Sequence, residues 1–279
     1  MNRPIVIIFH KDCSDGFGAA WAAWKKFGKR AEYIGVAHNH ALPAGLKNKI
    51  IYMLDFTYDE VTTRALIATN QQVTSLDHHI TRETATKLTQ DYRYALDHSG
   101  AVLAWTYFHP DKPIPRILQH IEDMDLWKFK LPDTRAVATL LNLQDFDFKF
   151  WDRLIRNFEN SRLRKQYLEK GKLILAYEER MIQNIVAVNS VEVDFAGHRA
   201  LAVNCPKFAS EIGHALTKKL PPIGIVWKQE SNHIKVSLRS DGTVDVAKIA
   251  ESFGGGGHKA SSGFTFPLAE PLPWKIINR

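Results

Sequence analysis

The segment His10-Lys11-Asp12-Cys13-Ser14-Asp15-Gly16 sets an imidazole and two carboxylates just past a short apolar run. Hard divalent cations such as Mn²⁺ and Mg²⁺ take oxygen ligands, and an imidazole in the set suits Mn²⁺ over Mg²⁺. Alone, the segment reads equally as a loop and a helix cap. Two later places change that balance: Asp55 closes the apolar run Ile50–Leu54, and Asp77-His78-His79 closes Val73–Leu76. One aspartate at a strand end is a common turn former. Three strand ends bearing carboxylate or imidazole on one edge are not easily accidental. Asp123 and Asp125, in Ile121-Glu122-Asp123-Met124-Asp125-Leu126-Trp127, add a late carboxylate. Asp123 is the preferred donor, because Leu126-Trp127 suggests that Asp125 begins the next turn. Together these groups suffice for two ions sharing a carboxylate, an arrangement that activates water and stabilises an attacked phosphate.

The elements that must position these residues follow from periodicity. Pro4–Phe9 reads as a fully buried strand, with further strands at Ala31–Val36, Ile50–Leu54 and Val73–Leu76. Helices fall between them, one starting at Gly16 and another over Asp59–Ala68. This rhythm predicts a parallel α/β sheet whose carboxyl edge binds ligands. From Ser99 the pattern turns helical: Ala101–Phe108, Ile114–Glu122, Arg135–Leu143 and a long stretch over Phe150–Met181. A second, smaller α/β domain is expected from the alternation at Ile185–Val188 and Ala200–Val203, helix Ser210–Leu220, strands Ile223–Lys228 and His233–Leu238, and helix Val244–Ser252. The predicted domains are residues 1–182, with a helical part and connector, and 183–279.

In the second domain Gly254-Gly255-Gly256-Gly257-His258 stands out. A glycine run lets backbone N–H groups converge on an anion with no Cβ in the way, and His258 could add a hydrogen bond to phosphate. A plain turn is the competing reading, although four successive glycines are costly to order without a need for close approach.

The bulk composition sets limits. A chain of 279 residues with 45% hydrophobic content can bury two modest cores. Its net charge of +7 is compatible with a polyanionic partner and equally with plain solubility. No apolar stretch approaches the roughly 20 residues that span a bilayer. Cys13 and Cys205 form no CxxC pair. The expected setting is therefore a reducing cytoplasm, with no membrane partner and a homodimer left open.

The sequence resembles the DHH phosphoesterases. Asp77-His78-His79 is similar to the motif that names the family; His10…Asp12…Asp15-Gly16 resembles its first motif, Asp55 its second and Asp123 its fourth. Gly254 to Phe264, read Gly-Gly-Gly-Gly-His-Lys-Ala-Ser-Ser-Gly-Phe, resembles the signature of the accompanying DHHA1 domain. The resemblance implies two divalent ions, most often Mn²⁺, with Mg²⁺ or Co²⁺ as substitutes. His10, Asp12 and Asp55 would hold one; Asp15, Asp55, His78 and Asp123 the other. Asp77 would orient His78, and His79 would face the substrate. Arg239 looks like the family's phosphate clamp, with Gly255, Gly256, Gly257 and His258 beside it, although a surface arginine is the plainer reading. One departure is the spacing: the usual first motif has one residue between its aspartates, whereas Asp12 and Asp15 have two. The implied activity is hydrolysis of short oligonucleotides or linear dinucleotides. The alternatives are a small-molecule nucleotide phosphatase or exopolyphosphatase, and a catalytically silent nucleotide- or RNA-binding protein.

Overall fold

The structure, a computed structural model, describes residues 4–37 and 41–277. It divides into two compact units, residues 1–175 and 176–279. The first is built on strands β1 (Ile5–His10), β2 (Ala31–Val36), β3 (Ile50–Leu54), β4 (Gln72–Asp77) and β5 (Asp91–Tyr94). All pair in parallel, in the order β2-β1-β3-β4-β5. Chain order reverses between β1 and β3, the place where open parallel sheets bind ligands at their carboxyl ends. Ile7, Ile8, Ile51 and Leu54 are completely buried, as a sheet covered on both faces requires.

Helices α1 (Ser14–Phe27), α2 (Glu60–Thr69), α3 (Glu83–Lys87), α4 (Gly100–Phe108), α5 (Arg116–Asp125), α6 (Thr134–Asn142) and α7 (Phe148–Glu159) complete this unit. Small residues decide how closely α1 approaches its neighbours. A Cβ at Gly18 would sit 2.9 Å from that of Ala101, so α1 and α4 come nearly backbone to backbone. Trp21, Trp105, Trp151 and Phe158 fill the core around them.

The long α8 (Ser161–Asn189) begins after Asn160, whose Oδ1 accepts from the backbone N–H groups of Arg162 and Leu163. That cap separates α7 from α8, so the single stretch expected over Phe150–Met181 is two helices. The alternation expected to begin a strand at Ile185–Val188 is the tail of α8; the strand is β6 (Val191–Phe195). The boundary between the units falls inside α8.

The second unit carries β6, β7 (His198–Asn204), α9 (Ala209–Lys219), β8 (Ile223–Glu230), β9 (His233–Ser240), α10 (Val246–Ser252), β10 (Gly256–His258), β11 (Ser261–Pro267) and β12 (Lys275–Ile276). The sheet order is β10-β11-β9-β8-β7-β6-β12, antiparallel except for β7 with β8. Val193, Ala200, Ile223, Ile225, Val236 and Leu238 are fully buried in its core. Among the described residues, no helix is long and apolar enough to cross a membrane.

Candidate active site

At the carboxyl edge of the first sheet, beside the switch between β1 and β3, side chains from five segments converge. Three groups of potential ligand atoms stand out, each within 4.8 Å of one another: His10, Cys13 and Asp55; Asp55, His78 and His79; and Asp15, His78 and Asp125. His10 ends β1 and Asp55 follows β3. Asp55 is buried, in a left-handed backbone conformation (φ 54°), and its N–H donates to the Leu76 carbonyl at 2.9 Å. The position is strained for a residue with a Cβ, and aspartate is among the side chains that tolerate it. Its two oxygens face different partners: Oδ1 lies 3.1 Å from His78 Nε2, and Oδ2 lies 3.5 Å from His10 Nδ1 and 3.6 Å from Cys13 Sγ.

Two glycines let the pieces meet. A Cβ at Gly16 would lie 2.0 Å from the His10 carbonyl oxygen, and one at Gly100 would lie 2.4 Å from Asp55 Cβ. With Gly100 bare, the amino end of α4 reaches the site. Its N–H groups at Gly100 and Ala101 donate to Asp15 at 2.7 and 2.9 Å, while Ser99 N–H donates to Glu122 Oε2 at 3.0 Å. The amino end of α4, whose N–H groups could meet an external anion, thus holds the protein's own carboxylates.

Asp77 is completely buried. Its Oδ1 accepts from the His78 and His79 N–H groups at 2.7 and 3.1 Å and lies 2.7 Å from His79 Nδ1. Its Oδ2 accepts from Thr57 Oγ1 at 2.6 Å, and that hydroxyl also meets Ser75 Oγ and Thr86 Oγ1. This corrects the expectation that Asp77 orients the ring of His78: its carboxylate fixes the ring of His79 and touches only the backbone of His78. His78 is aimed by Asp55, Asp15 and Asp125.

Two further expectations change. Asp12 does not join the cluster; it is strongly exposed, beside Lys11 Nζ at 3.6 Å, and has a left-handed backbone (φ 64°). That twist turns the following Cys13 inward, so a sulfur stands with His10 and Asp55 where an aspartate was expected. Nor does Asp123 join. It accepts from the N–H groups of Lys130 and Leu131 at 2.7 and 3.0 Å and from Thr134 Oγ1 at 2.5 Å, tying down the loop after α5. Asp125 is the acid that reaches His78, 3.6 Å from Nε2. Cys13 and the Thr57 hydroxyl carry no strong sequence signal. The Asp125 alternative was visible only as a second acid two residues from the first.

The electrostatics would suit a bound cation. Burial, with Asp55 and Asp125 close by, pushes Asp15 well above the usual carboxylate range. Burial and Asp55 push Asp125 up to about 6. Burial acts against the charge of Asp55 too, but hydrogen bonds with His10 and His78 hold its carboxyl far below the ordinary range. His78 is raised to about 10: burial opposes its charge, while the hydrogen bond and charge of Asp55 outweigh that, with Asp125 and Asp15 adding. Carboxylates that raise one another's hold on protons are ones that a divalent cation can neutralise together. Imidazole, carboxylate and one thiol make a donor set that fits such ions. A cavity of about 220 Å³ opens beside the cluster, walled by Asp15, Asp125, His120 and Asn142 with Ile121, Met124 and Leu141.

In the second unit, Arg239 Nη2 donates to Ser210 Oγ at 2.6 Å and Nη1 donates to the Leu238 carbonyl at 2.9 Å. Gly254 and Gly255 donate their N–H groups to the Glu251 and Ala250 carbonyls, closing α10, and Gly256 to His258 form β10. A Cβ would lie 2.2 Å from the Gly263 oxygen at Gly255, and 2.6 Å from the Ser261 oxygen at Gly257, where φ is also +144°. With Gly254 also at a positive φ (74°), three of the run's glycines are therefore required by a helix end and a tight hairpin. His258 is exposed on β10. Among the other histidines of the first unit, His109 is buried with Nε2 3.0 Å from the Ala22 carbonyl, and His120 pairs with Thr134 Oγ1 at 2.9 Å. His38 and His40 lie outside the described residues.

The first unit is thus a parallel sheet that gathers acids and histidines at its switch point, and the second a mixed sheet with a glycine hairpin. Residues 189–273 match the DHHA1 domain. An uncharacterised protein of Acanthamoeba polyphaga mimivirus is 32% identical over 98% of this chain and 70% of its own length. The chain belongs to the DHH phosphoesterase family. Oligoribonuclease NrnB of Bacillus subtilis is 22% identical over 59% of the chain, which covers 42% of that protein. Among solved structures, a DHH domain assigned to a family of ribosomal proteins superposes with a TM-score of 0.64, at 12% identity over 98% of this chain and 83% of that one. The pGpG-specific phosphodiesterase PggH of Vibrio cholerae gives 0.53, at 11% identity over 95% and 93%. RecJ of Thermus thermophilus in complex with Mn²⁺ gives 0.52, at 13% identity over 93% of this chain and 49% of that one.

Proposed function

We propose that the chain is a divalent-metal-dependent phosphodiesterase that hydrolyses short oligonucleotides or linear dinucleotides. The observation that carries this reading is the convergence of His10, Asp15, Asp55, His78 and Asp125 at the sheet's switch point, with Asp55 turning one oxygen to each histidine. On this reading His10 and Asp55 would hold one ion, and Asp15, Asp55, His78 and Asp125 would hold another. When bound, the ions supply activation of water and neutralisation of the attacked phosphate.

The remaining roles belong to the protein's own groups. Asp77 fixes the ring of His79 through Nδ1, and on this reading His79 would give a proton to a departing ester oxygen. The Thr57 hydroxyl keeps Asp77 in place and thereby keeps His79 aimed. Arg239 and the segment from Gly255 to His258 hold a second phosphate or a terminal nucleotide. The choice of a short nucleic acid as substrate leans on the likeness to NrnB, an oligoribonuclease, and on the fold shared with a pGpG-specific phosphodiesterase. Manganese leans on the mixed imidazole–carboxylate donor set and on the RecJ structure that holds Mn²⁺.

The test is turnover of a 5′-phosphorylated dinucleotide, a 20-nucleotide RNA, adenosine bisphosphate and polyphosphate, with and without added Mn²⁺. The expected result is manganese-dependent release of mononucleotides, fastest from the dinucleotide. Preference for polyphosphate or the bisphosphate would replace the substrate class, and absence of all turnover with metal bound would leave a binding protein.

A further inference from the structure

The two halves of the metal cluster are chemically unlike, and the difference rests on Cys13. Its Sγ lies 3.3 Å from His10 Nδ1 and 3.6 Å from Asp55 Oδ2, and those two atoms are 3.5 Å apart. The three donors thus form a nearly equilateral triangle. A tetrahedral ion with bonds of about 2.0–2.1 Å to nitrogen and oxygen and about 2.3 Å to sulfur separates its ligands by roughly 3.3–3.6 Å. The triangle already has the dimensions of one face of such a site.

A simpler role for Cys13, capping α1, is a poor fit to its chemistry. Its Sγ does accept from Gly16 N–H at 3.2 Å. Sulfur is a weak acceptor, however, and helix caps are normally serine, threonine, aspartate or asparagine. That N–H bond eases loss of the thiol proton, but burial and then the Asp55 and Asp15 carboxylates hold the thiol well above its ordinary range, so the thiolate forms only together with a bound cation. The neighbouring carboxylate that could have supplied an oxygen, Asp12, points away beside Lys11. The other half of the cluster is different: Asp15, Asp55 and Asp125 give it oxygens, and His78 adds a nitrogen.

We propose that the centre is asymmetric, with Cys13 as a thiolate ligand beside His10 and Asp55, holding a borderline ion such as Zn²⁺ or Co²⁺, and the oxygen-rich corner holding a harder ion such as Mn²⁺. Thiolate selects the softer cation, and carboxylates suit the harder one. Binding at the first corner forms a sulfur–metal bond and releases the thiol proton to solvent. This inference rests on the metal-binding reading of the cluster given above.

The experiment uses the full chain stripped of metal and titrated with Co²⁺, followed by absorption spectroscopy. The wild type is expected to show a sulfur-to-cobalt charge-transfer band in the near ultraviolet along with visible cobalt bands. Cys13→Ser, which can still cap α1, and Cys13→Asp are expected to keep visible cobalt bands and lose the charge-transfer band. Competition of Zn²⁺ against Mn²⁺, read by metal analysis, is expected to shift toward Mn²⁺ in Cys13→Asp by on the order of tenfold or more. Cobalt binding to the wild type without the charge-transfer band, or with one that survives in both variants, overturns the thiolate ligand while the metal cluster stands. Failure of the folded wild type to bind Co²⁺, Zn²⁺ or Mn²⁺ overturns both.

Discussion

The carboxyl edge of the first sheet and the glycine hairpin of the second unit both carry motifs, but they use their residues in opposite ways. At the sheet edge, Gly16 gives way to the His10 carbonyl and Gly100 to the Asp55 side chain, and both close approaches serve to bring functional groups together. In the hairpin, Gly255 and Gly257 exist so that backbones can meet, β10 against β11. A motif made of functional groups can therefore be read as chemistry, whereas a motif made of glycines has first to be read as packing. The contrast can be broken or sharpened by mutation, and the expected effects descend from the shared carboxylate to a single glycine.

Asp55 should give the largest effect. Asp55→Asn is the informative change, because asparagine tolerates the left-handed backbone found there while losing the charge that two ions would share. The expected outcome is a folded protein whose hydrolysis falls by at least about 10³-fold, with metal stoichiometry reduced at both corners. Near-normal turnover by a folded variant would remove the two-ion reading altogether.

Asp123 and Asp125, two residues apart on one helix end, come next. Asp125→Asn is expected to lower metal occupancy and turnover together. Asp123→Asn should keep the metals and instead lower stability by about 1–3 kcal/mol, since its carboxylate serves the N–H groups of Lys130 and Leu131 and the Thr134 hydroxyl. Burial works against the charge of Asp123, but the bonds from Thr134, Lys130 and Leu131 prevail and its folded pKa is lowered. Its contribution is thus present above the ordinary carboxylate range and lost as pH falls through the folded pKa. The Tm gap between wild type and Asp123→Asn should accordingly be widest near neutrality and narrow below about pH 4. A gap that widens in acid would contradict this assignment.

These two aspartates also mark how far the sequence could be read. His10, Asp15, Asp55, His78 and His79 were legible because each sits at or just past the end of an apolar strand, and strand ends of a parallel sheet share one edge. Whether Asp123 or Asp125 faces that edge depends on where α5 unwinds and on what the loop at residues 130–134 demands, neither of which is local. Cys13 was hidden for a similar reason: the left-handed turn at Asp12 exchanges which loop residue points inward. Most buried elements of both sheets were visible as apolar runs. Strand β5, Asp91-Tyr92-Arg93-Tyr94, was not, because a polar edge strand has no such run. Strand β6 was masked by the apolar end of α8 just before it.

In the second unit, Arg239→Ala should lower kcat/KM on a 5′-phosphorylated dinucleotide by about 30-fold, the loss expected for a charge-assisted phosphate contact. An aryl phosphate ester, which offers no second phosphate, should be nearly unaffected. Equal losses on both substrates would reduce Arg239 to its observed bonds with Ser210 and the Leu238 carbonyl.

The smallest effect separates the two uses of glycine within one run. Alanine at Gly255 or Gly257 would push a Cβ against the β11 backbone, and at Gly257 it would also require an unfavourable φ. Both should destabilise the unit by about 1–3 kcal/mol, so any loss of activity they cause says little about substrate. Gly256 differs: nothing lies within 4 Å of the place an alanine methyl would take, and its φ is not positive. Gly256→Ala should hold stability to within about 0.5 kcal/mol. Structure alone thus gives Gly256 no reason to be glycine, whereas the proposed approach of a substrate phosphate to its backbone would. The expected result is an unchanged Tm with a several-fold rise in KM for the dinucleotide and little change in kcat, as loss of uniform binding predicts. An unchanged KM would mean that helix closure and hairpin pairing account for the glycine run, and the phosphate would have to be sought at Arg239 alone.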